Sequence, residues 1–323
     1  MQQKTFKKLI FCLFLILSFS ICNIYKSFNN LKSHEYLFKL NYDINTLIIG
    51  DSHPMSSLDP NIIKYSKNIA LDSENYFFTY YKLRYFLMHN LQIKNVIIGF
   101  APQNISKINA EMFLYQEPTE KQSYKRYYNL LDYNGKNKIK SFRKNFIEAV
   151  LKYEFGIPIK IYKENLFLKY LFRKNINKHD FEFIGNFYSS EISNVNIEDI
   201  KNKVKEYFYD DHMKYPGKSD LNIEYLYKII NICSSRGIKI YLYRSPVHPI
   251  YYQLLPNETL RDYEDIKNEI LNIDKNIEFI DYSKMQLETE HFGDGDHLNV
   301  FGAKIVSQLI NYKINKDIMN DSI

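Results

Sequence analysis

The sequence predicts an α/β fold built on a doubly wound, five-stranded parallel sheet. Three observations support this prediction. Short apolar runs of strand-like residues alternate with helix-like segments. Turn residues end these runs abruptly, which is typical of buried parallel strands. The 323 residues, 45% of them hydrophobic, are enough for one large domain with a core and a sizeable insertion.

The predicted strands are short and are followed by polar or glycine-containing turns. They are residues 46–49, 69–71, 95–99, 238–243 and 277–281. Strands that alternate with helices pair in parallel, so their carboxyl ends meet at one edge of the sheet, where such folds bind ligands. We therefore expect functional residues directly after these strands.

The helices are predicted from capping residues and glycine stops. Asp59, followed by a proline, predicts a short capped helix, and Ser73 is a candidate cap for the next one. Gly237 ends a further helix, and Asn299 caps the last. The predicted helices are residues 61–67, 75–90, 221–236, 260–271 and 300–314.

The alternation of strands and helices stops between about residues 105 and 218. A structureless loop of that length is implausible in a compact domain, so we interpret the stretch as a mostly helical insertion after strand three, over the carboxyl edge of the sheet. Its Tyr and Lys residues would either line a groove for a sugar polymer or pack together with a solvated lysine face. We interpret residues 46–323 as one domain with this insertion, preceded by a stem at 26–45.

Residues 1–25 predict a membrane segment. Three lysines among the first eight residues precede an apolar stretch at 9–24, and this basic flank predicts an N-terminus that stays in the cytoplasm. The stretch is short of the ~20 residues that span a bilayer comfortably. A single-pass transmembrane signal anchor in the inner membrane is the first interpretation, and a signal peptide cut after 18–20 is the alternative. In both cases the body is exported.

Charge and cysteine content argue against several classes of function. The net charge of +6 is a mild excess without a basic helix, zinc spacing or RNA-binding signature, so we expect no nucleic-acid partner. Cys12 and Cys22 lie in the N-terminal apolar stretch, which leaves Cys233 alone in the body and excludes an intrachain disulfide framework there. No ligand spacing indicates a metal, and we predict no cofactor.

A candidate nucleophile follows the first strand. The buried run at 46–49 ends at Gly50-Asp51-Ser52, where Gly50 permits a sharp turn. Ser52 is thereby left at the carboxyl end of the strand.

A candidate base lies in Asp294-Gly295-Asp296-His297, just before the last helix. A serine nucleophile needs a neutral imidazole to take its proton, and that imidazole needs an acid on its other nitrogen. Asp294 can fold back onto the ring across a turn that Gly293 and Gly295 ease. Asp296 is the rival acid, but adjacent side chains rarely reach a neighbouring ring. With an ordinary histidine pKa, activity would fall below about pH 6–6.5.

These two segments together resemble the first and last blocks of the SGNH, or GDSL-like, hydrolase superfamily, whose sheet is flavodoxin-like. The resemblance implies Ser52 as nucleophile, His297 as general base and Asp294 as the orienting acid. The middle blocks depart from the family pattern. Asp72-Ser73 stands where the family usually has a glycine after strand two, and the Asn of the usual Gly-x-Asn is represented by Asn104, further along the chain. Ser73 and Asn104 are the candidates for the oxyanion hole.

Two further positions at this edge are candidates for substrate binding. The loop after strand four carries Arg244 and His248, which either contact substrate or belong to a proline-stiffened loop with an exposed histidine. His53 stands where the family often has Leu, and it either contacts substrate or hydrogen-bonds within the turn.

The triad supports acyl transfer through an acyl-Ser52 intermediate, to water or to another hydroxyl. An N-terminal anchor on an exported body resembles proteins that O-acetylate envelope polysaccharides beside a multi-span membrane acyltransferase. The resemblance implies a polysaccharide or glycan substrate and such a partner. Two alternatives stay open: an esterase that deacetylates the same kind of polymer, and a catalytically inactive scaffold or binding protein of the envelope.

Overall fold

The computed structural model describes residues 35–108, 130–141 and 184–320, together with Ser18 and Tyr127. The strands are β1 (Thr46–Ile49), β2 (Ser66–Asn68), β3 (Asn95–Gly99), β4 (Lys239–Arg244) and β5 (Ile277–Asp281). The helices are α1 (Ser52–Ser57), α2 (Tyr76–His89), α3 (Pro102–Ile105), α4 (Tyr133–Ser141), α5 (Ile197–Phe208), α6 (Asp220–Ser234), α7 (Pro249–Leu254), α8 (Asn257–Leu271) and α9 (Val300–Asn320). Short 3-10 turns lie at Glu35–Phe38 and Thr289–His291.

The five strands form one parallel sheet in the order β2-β1-β3-β4-β5. This arrangement confirms the predicted fold class. The strand order reverses at β1, which has β2 on one side and β3 on the other. In open α/β sheets such a switch point opens a crevice at the carboxyl ends of the two strands, and ligands bind there. The ends of β1 and β3 are therefore where a site is expected.

The core lies on the sheet and against the last helix. Every residue of β1 and β3 is buried. Ile48 and Ile97 from these strands share one apolar cluster with Val306 and Ile310 of α9. Burial of each such side chain contributes about 1.5–3 kcal/mol, so this cluster holds the end of β1 in a defined place.

The second strand lies three residues earlier than predicted. Residues 69–71 were the more apolar choice, but β2 is Ser66–Asn68, with Ser66 opposite Thr46. β2 is the end strand of the sheet, so hydrogen bonding sets its bounds more than an apolar run does. The buried Asn68 amide donates to the carbonyls of Pro54 and Leu58, which stabilises a polar residue inside the strand.

Two predicted helix starts were wrong. Asp59 does not begin a helix; its Oδ1 accepts from the Asn61 backbone N–H in a turn. α2 is capped by Asn75, whose side chain accepts from Phe78 N at 3.2 Å, and not by Ser73. The prediction for α9 is confirmed at its start, where the Asn299 side chain accepts from Phe301 N and Gly302 N.

The chain divides into two compact units, one of residues 1–39 with 125–180 and one of 40–124 with 181–323. The sheet and every candidate site residue belong to the second unit. Of the predicted insertion, the structure describes its two ends and α4. The predicted membrane segment at 1–25 lies outside the described residues, apart from Ser18. Within the part of the chain that is described, no helix combines the length and the apolar character needed to cross a bilayer.

Candidate active site

Ser52, His297 and Asp294 form a continuous hydrogen-bonded chain at the carboxyl edge of the sheet. Ser52 Oγ lies 2.7 Å from His297 Nε2, and both carboxylate oxygens of Asp294 lie 3.0 Å from Nδ1 of the same ring. A carboxylate only accepts hydrogen bonds, so Nδ1 carries its proton toward Asp294 and Nε2 faces the serine hydroxyl. These are the contacts that a nucleophile, its base and an orienting acid require.

The turn after β1 places Ser52 in this chain. Ser52 is the first residue of α1, and Asp51 caps that helix by accepting from His53 N at 3.1 Å. Gly50 has a φ of +130°, a conformation that strongly favours glycine. A Cβ at Gly50 would also lie 3.1 Å from the backbone nitrogen of Gly99 at the end of β3. A glycine is therefore required here both for the turn and for the close approach of the two strand ends.

A tight turn before α9 places His297. Oδ1 of Asp294 accepts from the backbone N–H groups of Asp296 and His297 at 3.0 and 2.9 Å. Gly295 does more than ease this turn, because a Cβ there would lie 2.3 Å from Cγ1 of Ile200 on α5. The turn that carries the acid and the base is thus pressed directly against α5.

Asp296 is a second carboxylate on the same ring. Its Oδ1 lies 3.3 Å from His297 Nδ1, slightly farther than the Asp294 oxygens. The expectation that an adjacent aspartate does not reach the ring was therefore wrong, since the turn folds tightly enough to bring it there. Asp294 makes the shorter contacts, while Asp296 is the fully buried member of the pair.

Lys203 reaches both carboxylates from α5. Its Nζ lies 3.0 Å from Asp294 Oδ2 and 2.6 Å from Asp296 Oδ1. Lys203 was not predicted from the sequence, because α5 lies in the region where the alternation stops and nothing local distinguishes Lys203 from the other lysines of that helix. A search for a cation to balance two carboxylates would have been the only available signal.

These charges set the protonation of the imidazole. Burial lowers the pKa of His297, but Asp296 and then Asp294 outweigh burial and raise that pKa to about 9. Lys203 acts in the opposite direction and lowers it. Burial also raises the pKa values of the two carboxyls, but their contacts with His297 and Lys203 hold both below the usual range.

His53 turns toward the same cluster. Its Nε2 lies 3.3 Å from Asp296 Oδ2, and its ring meets the His297 ring edge-on with centroids 5.1 Å apart. Its Nδ1 is buried without a hydrogen-bond partner among the described residues. The predicted hydrogen bond within its own turn is thus replaced by one to Asp296, and His53 also lines the cavity beside Ser52, so a substrate contact stays a prediction.

Three of these side chains lie close enough to hold a metal ion. The ligand atoms of His53, Asp296 and His297 lie within 4.8 Å of one another. However, the Lys203 ammonium already pairs with Asp296 at 2.6 Å. A cation placed there would compete with Lys203 for the carboxylate, so the arrangement suits the positioning of His297 better than it suits metal binding.

The two candidate oxyanion residues lie beside Ser52. Ser73 and Asn104 line one cavity together with Ser52. Asn104 is held in α3, where its Oδ1 accepts from Ala101 N at 2.8 Å and its Nδ2 donates to Asp51 Oδ2 at 2.6 Å. An amide nitrogen carries two N–H groups, so the second is available to a substrate oxygen.

Ser73 adopts a left-handed backbone conformation, with a φ of +57°, at the position where the resembled family has glycine. Such a conformation costs a non-glycine residue on the order of 1–3 kcal/mol. We expect Ser73→Gly to leave turnover and unfolding free energy almost unchanged, because relief of strain offsets the added chain entropy. Ser73→Val should lower the unfolding free energy by at least about 1 kcal/mol, because β-branched residues avoid positive φ. Denaturant unfolding of both variants checks this, and equal stabilities would contradict it.

Arg244 does not line this cavity in the described structure. Its guanidinium lies 4.9 Å from the centre of the Tyr263 ring and 5.3 Å from that of Tyr252, and it pairs with Asp281 at 3.6 Å. These contacts occupy the side chain in packing at the end of β4. The prediction of a substrate contact at Arg244 finds no support in this position.

His248 is likewise outside the cavity lining. It caps α7, where Nδ1 accepts from Ile250 N at 3.3 Å, and its Nε2 lies 3.4 Å from Thr289 Oγ1. The ring is buried, and burial lowers the pKa of His248. The structure therefore gives His248 a capping role and contradicts the exposed position, while the substrate contact stays a prediction without support in this position.

The fold and site together define an α/β protein with a serine–histidine–aspartate constellation at the carboxyl edge of a parallel sheet. A model of a domain family of uncharacterised function matches residues 186–319. That segment, less than half of the chain, holds Lys203, Asp294, Asp296 and His297, whereas Ser52 precedes it. A comparison with curated proteins gives no match.

Proposed function

We propose that this chain is an SGNH-type serine acyl-transfer enzyme that works through an acyl-Ser52 intermediate. One observation carries the proposal: Ser52 Oγ lies 2.7 Å from His297 Nε2, and Asp294 holds the other ring nitrogen. A hydroxyl, an imidazole and a carboxylate that are hydrogen-bonded in this order are the usual means of activating a serine.

In the first half-reaction, Ser52 Oγ attacks the acyl carbonyl while His297 Nε2 takes the hydroxyl proton. The Asn104 amide, with the backbone N–H groups of Ser52 and Ser73, is the donor set we assign to the developing oxyanion. The leaving group takes the proton from His297 as its bond to the acyl carbon breaks. In the second half-reaction, His297 takes a proton from the acceptor hydroxyl as its oxygen attacks the acyl carbon of acyl-Ser52. His297 then returns that proton to Ser52 Oγ as the bond between Oγ and the acyl carbon breaks.

The lining of the cavity supports a short acyl group. Besides Ser52, Ser73 and Asn104, the cavity is lined by polar or amphipathic residues: Asp51, His53, Glu74, Asn75, Gln103, Tyr207 and Asn222. A long hydrocarbon chain would gain little from such a surface and would desolvate its polar groups. An acetyl group has no long hydrocarbon chain to bury, so acetyl transfer is the reaction we favour.

For the acceptor, we propose a cell-envelope or exported polysaccharide. The support is the basic-then-apolar N-terminal sequence, which predicts a membrane-anchored body on the outer side, and the resemblance to envelope O-acetylating proteins. In this proposal a multi-span membrane acyltransferase delivers the acyl group. A polysaccharide deacetylase is the second candidate, because the same triad needs only water to complete hydrolysis.

A labelling experiment tests the proposal. The purified full-length chain is treated with a fluorophosphonate probe and, separately, with p-nitrophenyl acetate. Mass spectrometry then follows acetylated Ser52 with and without an oligosaccharide acceptor. Transfer predicts a labelled Ser52 and acetate on the sugar, whereas release to water at a rate independent of sugar favours the esterase. A chain that folds but takes neither the probe nor the acetyl group would contradict both enzymes and favour an inactive scaffold.

The pH dependence of this activity should differ from that of an ordinary histidine base. Because the pKa of His297 is raised to about 9, the ring is mostly protonated at pH 7 and cannot accept the Ser52 proton. The rate should therefore rise with pH up to about 9, and not level off above about pH 6.5 as an unperturbed ring would predict. The pH profile of p-nitrophenyl acetate turnover measures this, and a plateau beginning near pH 6.5 would rule it out.

A further inference from the structure

We propose that Lys203 is a positioning residue that clamps Asp294 and Asp296 into a paired acid behind His297. Its Nζ lies 3.0 Å from one carboxylate and 2.6 Å from the other, so a single ammonium bridges both. This inference rests on the proposed function. It adds Lys203 of α5, a helix that carries no member of the triad.

The packing of α5 makes this contact a fixed part of the site. Ile200, Val204 and Phe208 of α5 are buried in a cluster with Val247 and Tyr251. One turn before Lys203, Ile200 packs against Gly295 so closely that no Cβ would fit. α5, which supplies Lys203, therefore packs directly against the turn that carries Asp294 and His297.

The bridge is more sheltered than an ordinary surface ion pair. The Lys203 side chain is 25% exposed and that of Asp296 is 0% exposed. Exposed ion pairs contribute little to stability, whereas removal of one partner from a buried pair exposes the other charge to the cost of burial. Without Lys203, Asp296 would keep, among the described residues, only its contacts with His297 and His53, each at 3.3 Å.

The titratable groups around Lys203 determine how its removal would change the protonation of His297. Asp294, Asp296 and His297 face it from the turn, and His53 of α1 contacts Asp296 from the other side. Tyr207 of α5 and Tyr251 of α7 also interact with the charge of Asp296. Burial raises the pKa values of both phenols, so they stay neutral. Removal of the ammonium would leave two carboxylates facing one imidazole, and its protonated form would be favoured further.

The test compares Lys203→Met and Lys203→Arg in the full-length chain with Lys201→Met as the matched control. Lys201 lies on the same helix, is 50% exposed and pairs only weakly with Glu198, at 3.8 Å. Two quantities are measured: the pH profile of p-nitrophenyl acetate turnover, and the His297 pKa by NMR titration of the ring in an inactive Ser52→Ala background.

We expect Lys203→Met to move the rising limb of the profile, and the NMR pKa with it, upward by about one unit, which is about a tenfold loss of rate at pH 7. In Lys203→Arg both the pH profile and the His297 pKa should stay near wild type, because arginine keeps the positive charge. Lys201→Met should change neither quantity. Asp296→Asn should move both downward, since it removes the carboxylate that raises the His297 pKa most.

A Lys203→Met chain that loses rate equally at every pH, with an unmoved His297 pKa, would overturn the proposal. An unmoved or raised pKa in Asp296→Asn would do the same, and this variant decides the matter if Lys203→Met does not fold. Failure of the proposed function is recognised separately, by a wild-type chain that takes no fluorophosphonate. The NMR titration still tests the clamp in that case.

Discussion

Alanine at Ser52 should eliminate both probe labelling and p-nitrophenyl acetate turnover, with a loss on the order of 10⁴–10⁶-fold in kcat. Alanine at His297 should cost a similar amount, because the serine at 2.7 Å from Nε2 has no other base in the described site that touches its oxygen. The double variant should lose no more than either single variant, since the two residues act as one unit.

Ser56→Ala is the matched control for this experiment. Ser56 lies on the same short helix, one turn after Ser52, and its hydroxyl contacts the His53 carbonyl at 3.3 Å and not the cavity. It should keep turnover close to wild type. Full activity in Ser52→Ala, or losses at Ser52 and His297 that multiply in the double variant, would refute the triad.

Removal of the Asn104 amide should lower kcat by about 10²–10³-fold, the usual effect of losing one oxyanion donor. The amide is pre-oriented by Asp51, 2.6 Å from its nitrogen, and by Ala101 N, 2.8 Å from its oxygen. A donor held in this way needs no reorganisation as negative charge develops on the substrate oxygen. Asn104→Ala should therefore reduce kcat while KM changes little.

Loss of these two hydrogen bonds could also unfold part of the protein, so the measurement must separate the two effects. Counting intact sites with the fluorophosphonate probe before the rate is measured gives kcat per folded site. A rate per labelled site equal to wild type would show that Asn104 only supports the fold. A rise in KM with kcat unchanged would assign it to ground-state binding of substrate.

The predicted strand bounds were right for three of the five strands. The predicted bounds of β1, β3 and β5 coincide with those observed. The prediction failed at β2, because hydrogen bonds of Asn68 and the register with β1 outweigh the greater apolarity of residues 69–71. The short helix α1 was also missed, since six residues with a proline among them carry too little periodicity to predict a helix.

The topology alone was enough to predict that Ser52 and His297 lie close together. Ser52 and His297 lie 245 positions apart, yet both follow strands of one parallel sheet, so their meeting at one edge could be anticipated. Arg244 ends β4 and His248 follows it at the same edge, but their side chains are engaged in aromatic packing and helix capping. The direction of a side chain depends on its neighbours in space, which the topology does not specify.

The amino-acid sequence by itself determined the α/β class, the edge of the sheet at which the site lies, and the serine, histidine and aspartate that meet there. These follow from apolar runs and turn residues, which act within a few positions of the chain. Only the tertiary structure decided the contact of Lys203 with both carboxylates, the approach of Asp296 to the His297 ring and the raised pKa of His297. Electrostatic interactions depend on distances of a few ångström between residues far apart in sequence, and packing of α5 against the His297 turn sets those distances.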